Sequence, residues 1–140
     1  MKAEGPSGNV IAMVINEEQA ELLKALKLCN QIIISDATKP TEMLEKVLEV
    51  NGGREMDLSI CCVNVPNCEM SCILPVKNGG TVYFFSMATS FTKSALGAEG
   101  IGNDINIIVG NGYTKNHADI ALQILRESSE LRDYFSRVYR

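Results

Sequence analysis

The stretch Met56-Asp-Leu-Ser-Ile-Cys-Cys-Val-Asn-Val-Pro66 decides the fold of this chain. Its apolar run, Leu58–Val63, has the length of a strand that is buried on both faces, as in parallel sheets. Pro66 has no N–H and restricts Val65, so the strand must end before it. In an open parallel sheet, ligands bind outside the carboxyl ends of the strands. We therefore interpret Leu58–Val63 as the central strand and Asn64–Pro66 as part of the rim of a crevice.

Strands and helices are predicted to alternate on either side of this strand. Apolar and β-branched runs predict strands at Asn9–Ile15, Ile32–Ile34, Leu58–Val63, Thr81–Phe85 and Asn106–Val109. Cap residues and helical spacing predict helices that begin at Asn16 and Thr41, and further helices at Asn67–Leu74, Asn116–Glu127 and Glu130–Tyr139. Ser86–Gly102 is predicted to be irregular. This alternation is typical of a three-layer, doubly wound α/β fold with parallel strands, which we expect to form a single domain over residues 1–140.

Composition and net charge argue against several classes of protein. The 140 residues are 46% hydrophobic, which argues against disorder, and carry a net charge of −4. Nucleic-acid binding depends on Lys and Arg that neutralise phosphate, so this acidic chain is not expected to bind nucleic acid. No apolar run has the length of a membrane span and no signal peptide is evident, so we expect a cytoplasmic protein without membrane partners.

The five cysteines do not form a metal-binding pattern. Cys29, Cys61, Cys62, Cys68 and Cys72 lack paired C-x-x-C spacing, and the chain has one His. We interpret them as core or surface thiols and predict no metal site, with a metal or a disulfide as the alternatives.

Several long stretches resemble one dehydrogenase family. The segments Asn9–Asn16 and Glu21–Ile34 resemble a strand, a helix and the next strand in the coenzyme domain of medium-chain, alcohol-dehydrogenase-like enzymes. More narrowly, Cys62–Met70, Thr81–Lys93 and Ile108–Lys115 resemble the 3,5-diaminohexanoate dehydrogenase family. This resemblance implies a Rossmann-like fold and an NAD(P)-dependent enzyme of lysine fermentation, which oxidatively deaminates a diamino acid as its small-molecule substrate.

The chain departs from that family in one respect. A complete enzyme has a catalytic domain ahead of its coenzyme domain, and a first strand followed by a G-x-G-x-x-G turn that holds pyrophosphate. Gly5-Pro-Ser-Gly8 precedes a strand instead, and Gly97–Gly102 has a different spacing and is predicted to be a loop. We therefore expect the C-terminal part of a coenzyme domain, inactive alone, that binds NAD or NADP only with the missing N-terminal part.

The absent first strand would leave a gap in the middle of the sheet. In the intact domain the strand order is 3-2-1-4-5-6, so removing strand 1 separates its two neighbours. We predict that the gap closes, which gives five strands in the order 2-1-3-4-5, or that another chain fills it. Dehydrogenases of this type often pair through the last strand, so the resemblance also implies a homodimer through Asn106–Val109.

The resemblance places cofactor-binding residues at two strand ends. Asn16 ends the first strand, where the family places a residue on the adenosine ribose; the alternative is that Asn16 is only a helix cap. Asn64 and Val65 resemble the loop that covers the adenosine and nicotinamide riboses; the alternative is that they only terminate the strand.

Two later loops complete the predicted cofactor site. Ser86, Met87 and Ala88 follow the fourth strand and resemble the loop beside the nicotinamide, with an exposed connector as the alternative. Asn111 lies between two glycines, which allow either a close approach to a ligand or a simple turn.

No catalytic residue is assigned in this chain. Lys93 and Lys115 could meet a substrate carboxylate, but solvated lysines are the simpler interpretation, and His117 is expected at the surface. No Ser–His–acid set or phosphate-binding loop is evident. The competing hypothesis is a non-catalytic, doubly wound module that binds a small ligand or associates with itself.

Overall fold

The computed structural model describes residues 8–110 and 112–139. Its strands are β1 (Ile11–Val14), β2 (Gln31–Ile34), β3 (Met56–Cys61), β4 (Val76–Phe84) and β5 (Asn106–Val109). Its helices are α1 (Glu17–Leu26), α2 (Pro40–Val50), α3 (Glu69–Ile73), α4 (Phe91–Ile101), α5 (His117–Glu127) and α6 (Ser129–Val138). The predicted alternation of strands and helices is confirmed, and the chain has a partial Rossmann-like α/β fold.

The strands form two parallel sheets rather than one. β1 pairs with β2, and β3-β4-β5 form the second sheet in that order. The neighbours predicted within each half are therefore confirmed. The predicted closure of the gap between β1 and β3 is wrong, because no pairing joins these two strands in the described residues. The two strands are instead separated by a cleft, which is lined by apolar side chains that include Met13 and Cys61.

Asn51 links the segment before β1 to the segment before β3. Its Oδ1 accepts a hydrogen bond from Asn9 Nδ2 at 3.1 Å, next to the amino end of β1. Its Nδ2 donates to the carbonyl of Arg54 at 2.7 Å, next to the amino end of β3. Farther along both strands, Met13 of β1 packs against the hydrophobic cluster that contains Cys61 of β3, so β1 and β3 run in the same direction.

Helices cover both faces of the first sheet. Met43 and Val47 of α2 pack with Ile33, Ile11 and Met13 on one face. The helix α1 also contacts β1 and β2. The crossover through α1 runs from β1 to β2 and the one through α2 leads back toward β3, so right-handed crossovers place α1 on the other face. The helix α6 contacts α1 on that side.

In the part of the chain that the structure describes, only one face of the second sheet is covered. Val82 and Phe84 of β4 are 0% exposed and pack against α3 and α4 through Ile73 and Ala98. On the opposite face, Leu58 is 48% exposed. The prediction that Leu58–Val63 is buried on both faces is therefore wrong for this chain, because the second covering layer is missing from the described residues.

The helix α4 lies in the segment that was predicted to be irregular. Ser90 caps it by accepting a hydrogen bond from Lys93 N, and Gly102 ends it in the left-handed conformation, with φ of 68°. Gly97, also predicted to lie in a loop, sits inside this helix, where a Cβ would come within 2.4 Å of Met70 Sδ. Close packing of α4 on α3 explains a glycine that sequence alone associates with a loop.

Several element boundaries also differ from the prediction. β3 begins two residues earlier, at Met56, and ends at Cys61. The helix α2 begins at Pro40, with no side-chain cap, so Thr41 lies inside it rather than capping it. β4 begins at Val76, which places the predicted turn before Thr81 within the strand.

Within residues 8–110 and 112–139, no helix combines the length and the apolar character that a membrane crossing requires.

Candidate cofactor-facing rim

The loops that follow β3 and β4 meet at the carboxyl edge of the second sheet. We call residues 62–67 and 85–90 the rim. Ser86 Oγ donates a hydrogen bond to Asn64 Oδ1 at 3.4 Å, so the two predicted loops are in contact. The same hydroxyl accepts a hydrogen bond from Ala88 N at 3.1 Å, which folds the second loop back on itself. The structure thus brings together residues that are 22 positions apart in the sequence.

The buried side chain of Glu69 at the start of α3 holds the second loop of the rim. Glu69 is 2% exposed, and its Oε1 accepts a hydrogen bond from Ser90 N at 2.7 Å. On the surface, Lys93 Nζ donates to Asn67 Oδ1, which links the start of α4 to the loop before α3. The sequence gives no sign of this role for Glu69, because an acid near a helix start is normally solvated and only the tertiary contact with Ser90 N reveals it.

A pocket of about 390 Å³ opens beside the second loop of the rim. Thr89 Oγ1 is buried there without a hydrogen-bond partner among the described residues. Gly110, whose carbonyl accepts a hydrogen bond from the Tyr83 hydroxyl at 2.7 Å, also lines this pocket. The pocket is lined by Phe84, Phe85, Ser86, Met87, Thr89, Phe91, Val109 and Gly110. Its apolar walls and few polar groups are typical of sites that hold part of a small molecule.

Asn16 follows the carboxyl end of β1, which runs in the same direction as β3. Its Oδ1 accepts a hydrogen bond from Gln19 N at 2.9 Å and caps α1. The cap is followed by Glu17 and Glu18 in the first helical turn. These acids oppose a phosphate at this helix end, so the described residues around Asn16 do not form a pyrophosphate site.

The other predicted residues differ in their surroundings. Val65 is exposed, and Met87 is 85% exposed beside the pocket. Asn111 falls outside the described residues. Lys115 and His117 are exposed as expected, and His117 stacks on Tyr113 with ring centroids 4.7 Å apart.

Three thiols cluster beneath the rim. Cys61 Sγ and Cys68 Sγ are 3.6 Å apart, and Cys68 Sγ donates to the carbonyl of Val65 at 3.1 Å. A hydrogen bond with the Cys72 thiol lowers the pKa of Cys61 to about 6, and the same contact raises the pKa of Cys72. All five cysteines are free thiols, as predicted. In the part of the chain that is described, no group of His, Cys, Asp or Glu side chains is arranged to hold a metal ion.

Two curated proteins are similar to almost the whole chain. Over 138 residues, 99% of this chain, it is 56% identical to L-erythro-3,5-diaminohexanoate dehydrogenase of Acetoanaerobium sticklandii. Over 139 residues, also 99%, it is 55% identical to L-erythro-3,5-diaminohexanoate dehydrogenase of Fusobacterium nucleatum subsp. nucleatum. The chain spans 40% of the length of each relative. No protein-family model matches it. The predicted resemblance to this dehydrogenase is confirmed.

Proposed function

We propose that this chain is part of an NAD(P)-dependent dehydrogenase that oxidatively deaminates 3,5-diaminohexanoate, a reaction of lysine degradation. The observation that carries the proposal is the 56% identity over 99% of the chain to an enzyme of that name. Since the chain spans 40% of that relative, the rest of the machinery belongs to the portion outside the match.

The rim supplies the part of the cofactor site that this chain contributes. A nicotinamide cofactor, when bound, accepts the hydride from the amine-bearing carbon of the substrate. Asn64 and Ser86 are close enough to share one hydrogen bond, and both can exchange it for bonds to ribose hydroxyls. The buried Thr89 hydroxyl lacks a partner among the described residues and faces the pocket, where it can bond a polar ligand group. Met87 offers an exposed apolar surface to a flat ring.

The phosphates and the acid–base chemistry are assigned to the remainder of the enzyme. The first turn of α1 carries Glu17 and Glu18, which repel a pyrophosphate. We assign no catalytic residue to this chain. Alone, the chain is expected to bind NAD and NADP weakly and to be inactive.

We also propose a cytoplasmic location and a homodimer. β5 is an edge strand in the described sheet, and Ile108 and Val109 on it are exposed. An exposed apolar edge strand favours pairing with a second copy. The same exposure favours the second candidate function, a non-catalytic module that associates with itself.

Calorimetric titration with NAD and NADP tests the proposal. The chain is measured alone and after mixing with the unmatched portion of the A. sticklandii relative. Binding should be weak for the chain alone and strong for the mixture. In the mixture, Ser86→Ala should weaken binding by about fivefold, the effect of one lost hydrogen bond. Ser129→Ala, at the start of α6 and away from the rim, serves as the control. A mixture that forms a complex but binds neither cofactor would contradict the proposed function.

A further inference from the structure

Three cysteine thiols meet where β3 ends and α3 begins. Cys61 is the last residue of β3, Cys68 directly precedes α3, and Cys72 lies within α3. Cys61 Sγ and Cys68 Sγ are 3.6 Å apart, and the Cys72 thiol interacts with both of these sulfur atoms. A single buried thiol is explained by packing, but three in mutual contact form a nucleophilic cluster to which the proposed function gives no role.

The pair Cys61 and Cys68 encloses the first loop of the rim. Residues 62–67 lie between the two cysteines in the sequence. The loop leaves β3 and returns to the start of α3, so the two thiols lie where its ends come together. A bond between their sulfur atoms would therefore close this loop into a covalent ring. The chemistry of the pair bears on the position of Asn64, which the proposed function places in the cofactor site.

A disulfide requires only a small movement of these two sulfur atoms. Bonded sulfur atoms lie about 2.05 Å apart, so the separation of 3.6 Å must shorten by about 1.5 Å. A change in the side-chain torsion of one cysteine moves its sulfur atom by a distance of this order. Cys68 lies before the first turn of α3, where the backbone is less constrained than at Cys72 inside the helix. Cys68 is therefore the partner of Cys61 that closes the ring.

The cleft between β1 and β3 gives small molecules access to the cluster. Cys61 is 2% exposed, but it lines this cleft of about 240 Å³ together with Cys72. Hydrogen peroxide is little larger than water, so it can reach Cys61 through the cleft. Cys68 is 1% exposed and is not among the residues that line the cleft. Between the two members of the pair, Cys61 is the one that an oxidant meets first.

Cys61 also ionises more readily than an ordinary thiol. The hydrogen bond with Cys72 lowers the pKa of Cys61 to about 6. The thiolate is the form of cysteine that attacks an oxidant, and sensor cysteines combine a thiolate with a second thiol nearby. Position and ionisation thus both make Cys61 the attacking sulfur, with Cys68 as the second thiol.

We propose that hydrogen peroxide converts Cys61 and Cys68 into a reversible disulfide, which reshapes the first loop of the rim. The Cys61 thiolate attacks one peroxide oxygen, the O–O bond breaks, and the departing hydroxide takes up a proton to give water. Cys61 is thereby oxidised to a sulfenic acid. The Cys68 sulfur then attacks the Cys61 sulfur, the S–O bond breaks, and a second water leaves with the Cys68 thiol proton. Two thiols and one peroxide give one disulfide and two waters.

Disulfide formation removes a hydrogen bond that shapes the loop. The Cys68 thiol donates to the carbonyl of Val65 at 3.1 Å, and a disulfide sulfur has no proton to donate. Val65 directly follows Asn64, whose Oδ1 accepts a hydrogen bond from Ser86 Oγ at 3.4 Å. We expect oxidation to move Asn64 away from Ser86, and the effect of this movement on the cofactor rests on the proposed function. Reduction restores the thiol proton and the loop.

Peptide mapping of the unmodified chain tests the disulfide. The chain alone is treated with hydrogen peroxide, alkylated with iodoacetamide in denaturant and digested after glutamate residues. The segment 56–69 contains Cys61, Cys62 and Cys68 and is separated from Cys72 by this digestion. It should lose two hydrogen atoms and carry the alkyl group on Cys62 alone, and dithiothreitol should reverse the loss. A segment that stays reduced, or a disulfide that includes Cys62 or Cys72, would overturn the inference.

Matched variants distinguish this pair from the neighbouring thiols. Cys68→Ser should abolish the disulfide, whereas Cys62→Ser should leave it in place, because Cys62 is exposed and outside the cluster. Cys72→Ala should retain the disulfide but slow its formation at pH 7 by about threefold, because a smaller fraction of Cys61 is then ionised. Loss of the disulfide in Cys62→Ser would overturn the pairing.

Calorimetric titration with NAD tests the effect on the rim. The chain is oxidised first and then mixed with the unmatched portion of the A. sticklandii relative. It should bind NAD about fivefold more weakly than the reduced chain in the same mixture, the effect of one lost hydrogen bond. Dithiothreitol should restore the affinity, which it cannot do for an oxidised Met87, and Cys68→Ser should not respond to peroxide.

The outcomes separate this inference from the proposed function. Equal NAD affinity of the oxidised and reduced mixtures would overturn the inference. A reduced mixture that binds neither NAD nor NADP would contradict the proposed function alone, because the disulfide is mapped in the chain without any cofactor.

Discussion

The two faces of the β3-β4-β5 sheet differ in exposure although they are built from the same kinds of residue. Val82 and Phe84, which face α3 and α4, are fully buried, whereas Ile60 on the opposite face is 56% exposed. The difference lies in what covers each face rather than in the strands themselves. A strand whose sequence suits burial on both faces, but which is buried on one, indicates a missing layer.

The largest expected contrast between the faces is in stability. Phe84→Ala should lower the free energy of unfolding of the chain by about 3–5 kcal/mol, because it empties a filled core site. Ile60→Ala should change it by less than about 0.5 kcal/mol, as for an exposed position. Urea denaturation of the two variants provides the measurement. Comparable losses in both would mean that the sheet face that carries Ile60 is covered within the chain.

A smaller loss of unfolding free energy is expected from a change at Asn51, which links the two sheets. Asn51→Ala removes the hydrogen bonds to Asn9 and to the Arg54 carbonyl, and should cost about 1–3 kcal/mol in unfolding free energy. Glu49→Ala, an exposed change on the same helix, is the control. No loss in the Asn51 variant would show that this residue does not tie β1 to β3.

Two glycines of α4 differ in their surroundings, since Gly97 lies against Met70 of α3 and Gly100 has no neighbouring atoms within 4 Å of an added Cβ. Gly100→Ala should raise the unfolding free energy by about 0.5–1 kcal/mol, since nothing lies within 4 Å of the added methyl group. Gly97→Ala should not bring this gain, because the new Cβ would lie 2.4 Å from Met70 Sδ. Thermal unfolding distinguishes the two, and an equal gain in both would argue against close packing of α3 and α4.

The smallest expected effect is on the ionisation of two neighbouring thiols, Cys61 and Cys62, which lie on opposite faces of the sheet. A hydrogen bond with Cys72 lowers the pKa of Cys61 to about 6, whereas burial raises the pKa of Cys62. Thiolate absorbance in the ultraviolet should therefore appear as the pH rises through about 6 and should vanish in Cys61→Ser. Cys62→Ser should leave that step in place. A first thiol ionisation above pH 8 in the unmodified chain would contradict the assignment, because that is the ordinary range.

The sequence predicted the alternation of elements and the location of the rim because both depend on local signals. The apolar run before Pro66 predicts a strand, and the cap residue Asn16 predicts the start of a helix, without knowledge of any distant contact. The carboxyl ends of parallel strands lie at one edge of a sheet, which locates the loops of the rim. The helix α4 was missed because Gly97 favours a loop until its contact with Met70 is known. Glu69 was missed for a similar reason, since its partner, Ser90 N, is 21 residues away. Pairing of β1 with β3 was wrongly predicted because strand-pairing rules require a partner for a buried edge but do not say which chain supplies it.

Amide hydrogen exchange along β3 tests the central claim most directly. In the chain alone, the amides of Ser59 and Cys61 should exchange slowly, because they are directed toward β4, while those of Leu58 and Ile60 should exchange fast at the open edge. Addition of the unmatched portion of the A. sticklandii relative should make all four slow. Slow exchange of Leu58 and Ile60 in the chain alone, or fast exchange after addition, would contradict an incomplete sheet that one further strand completes.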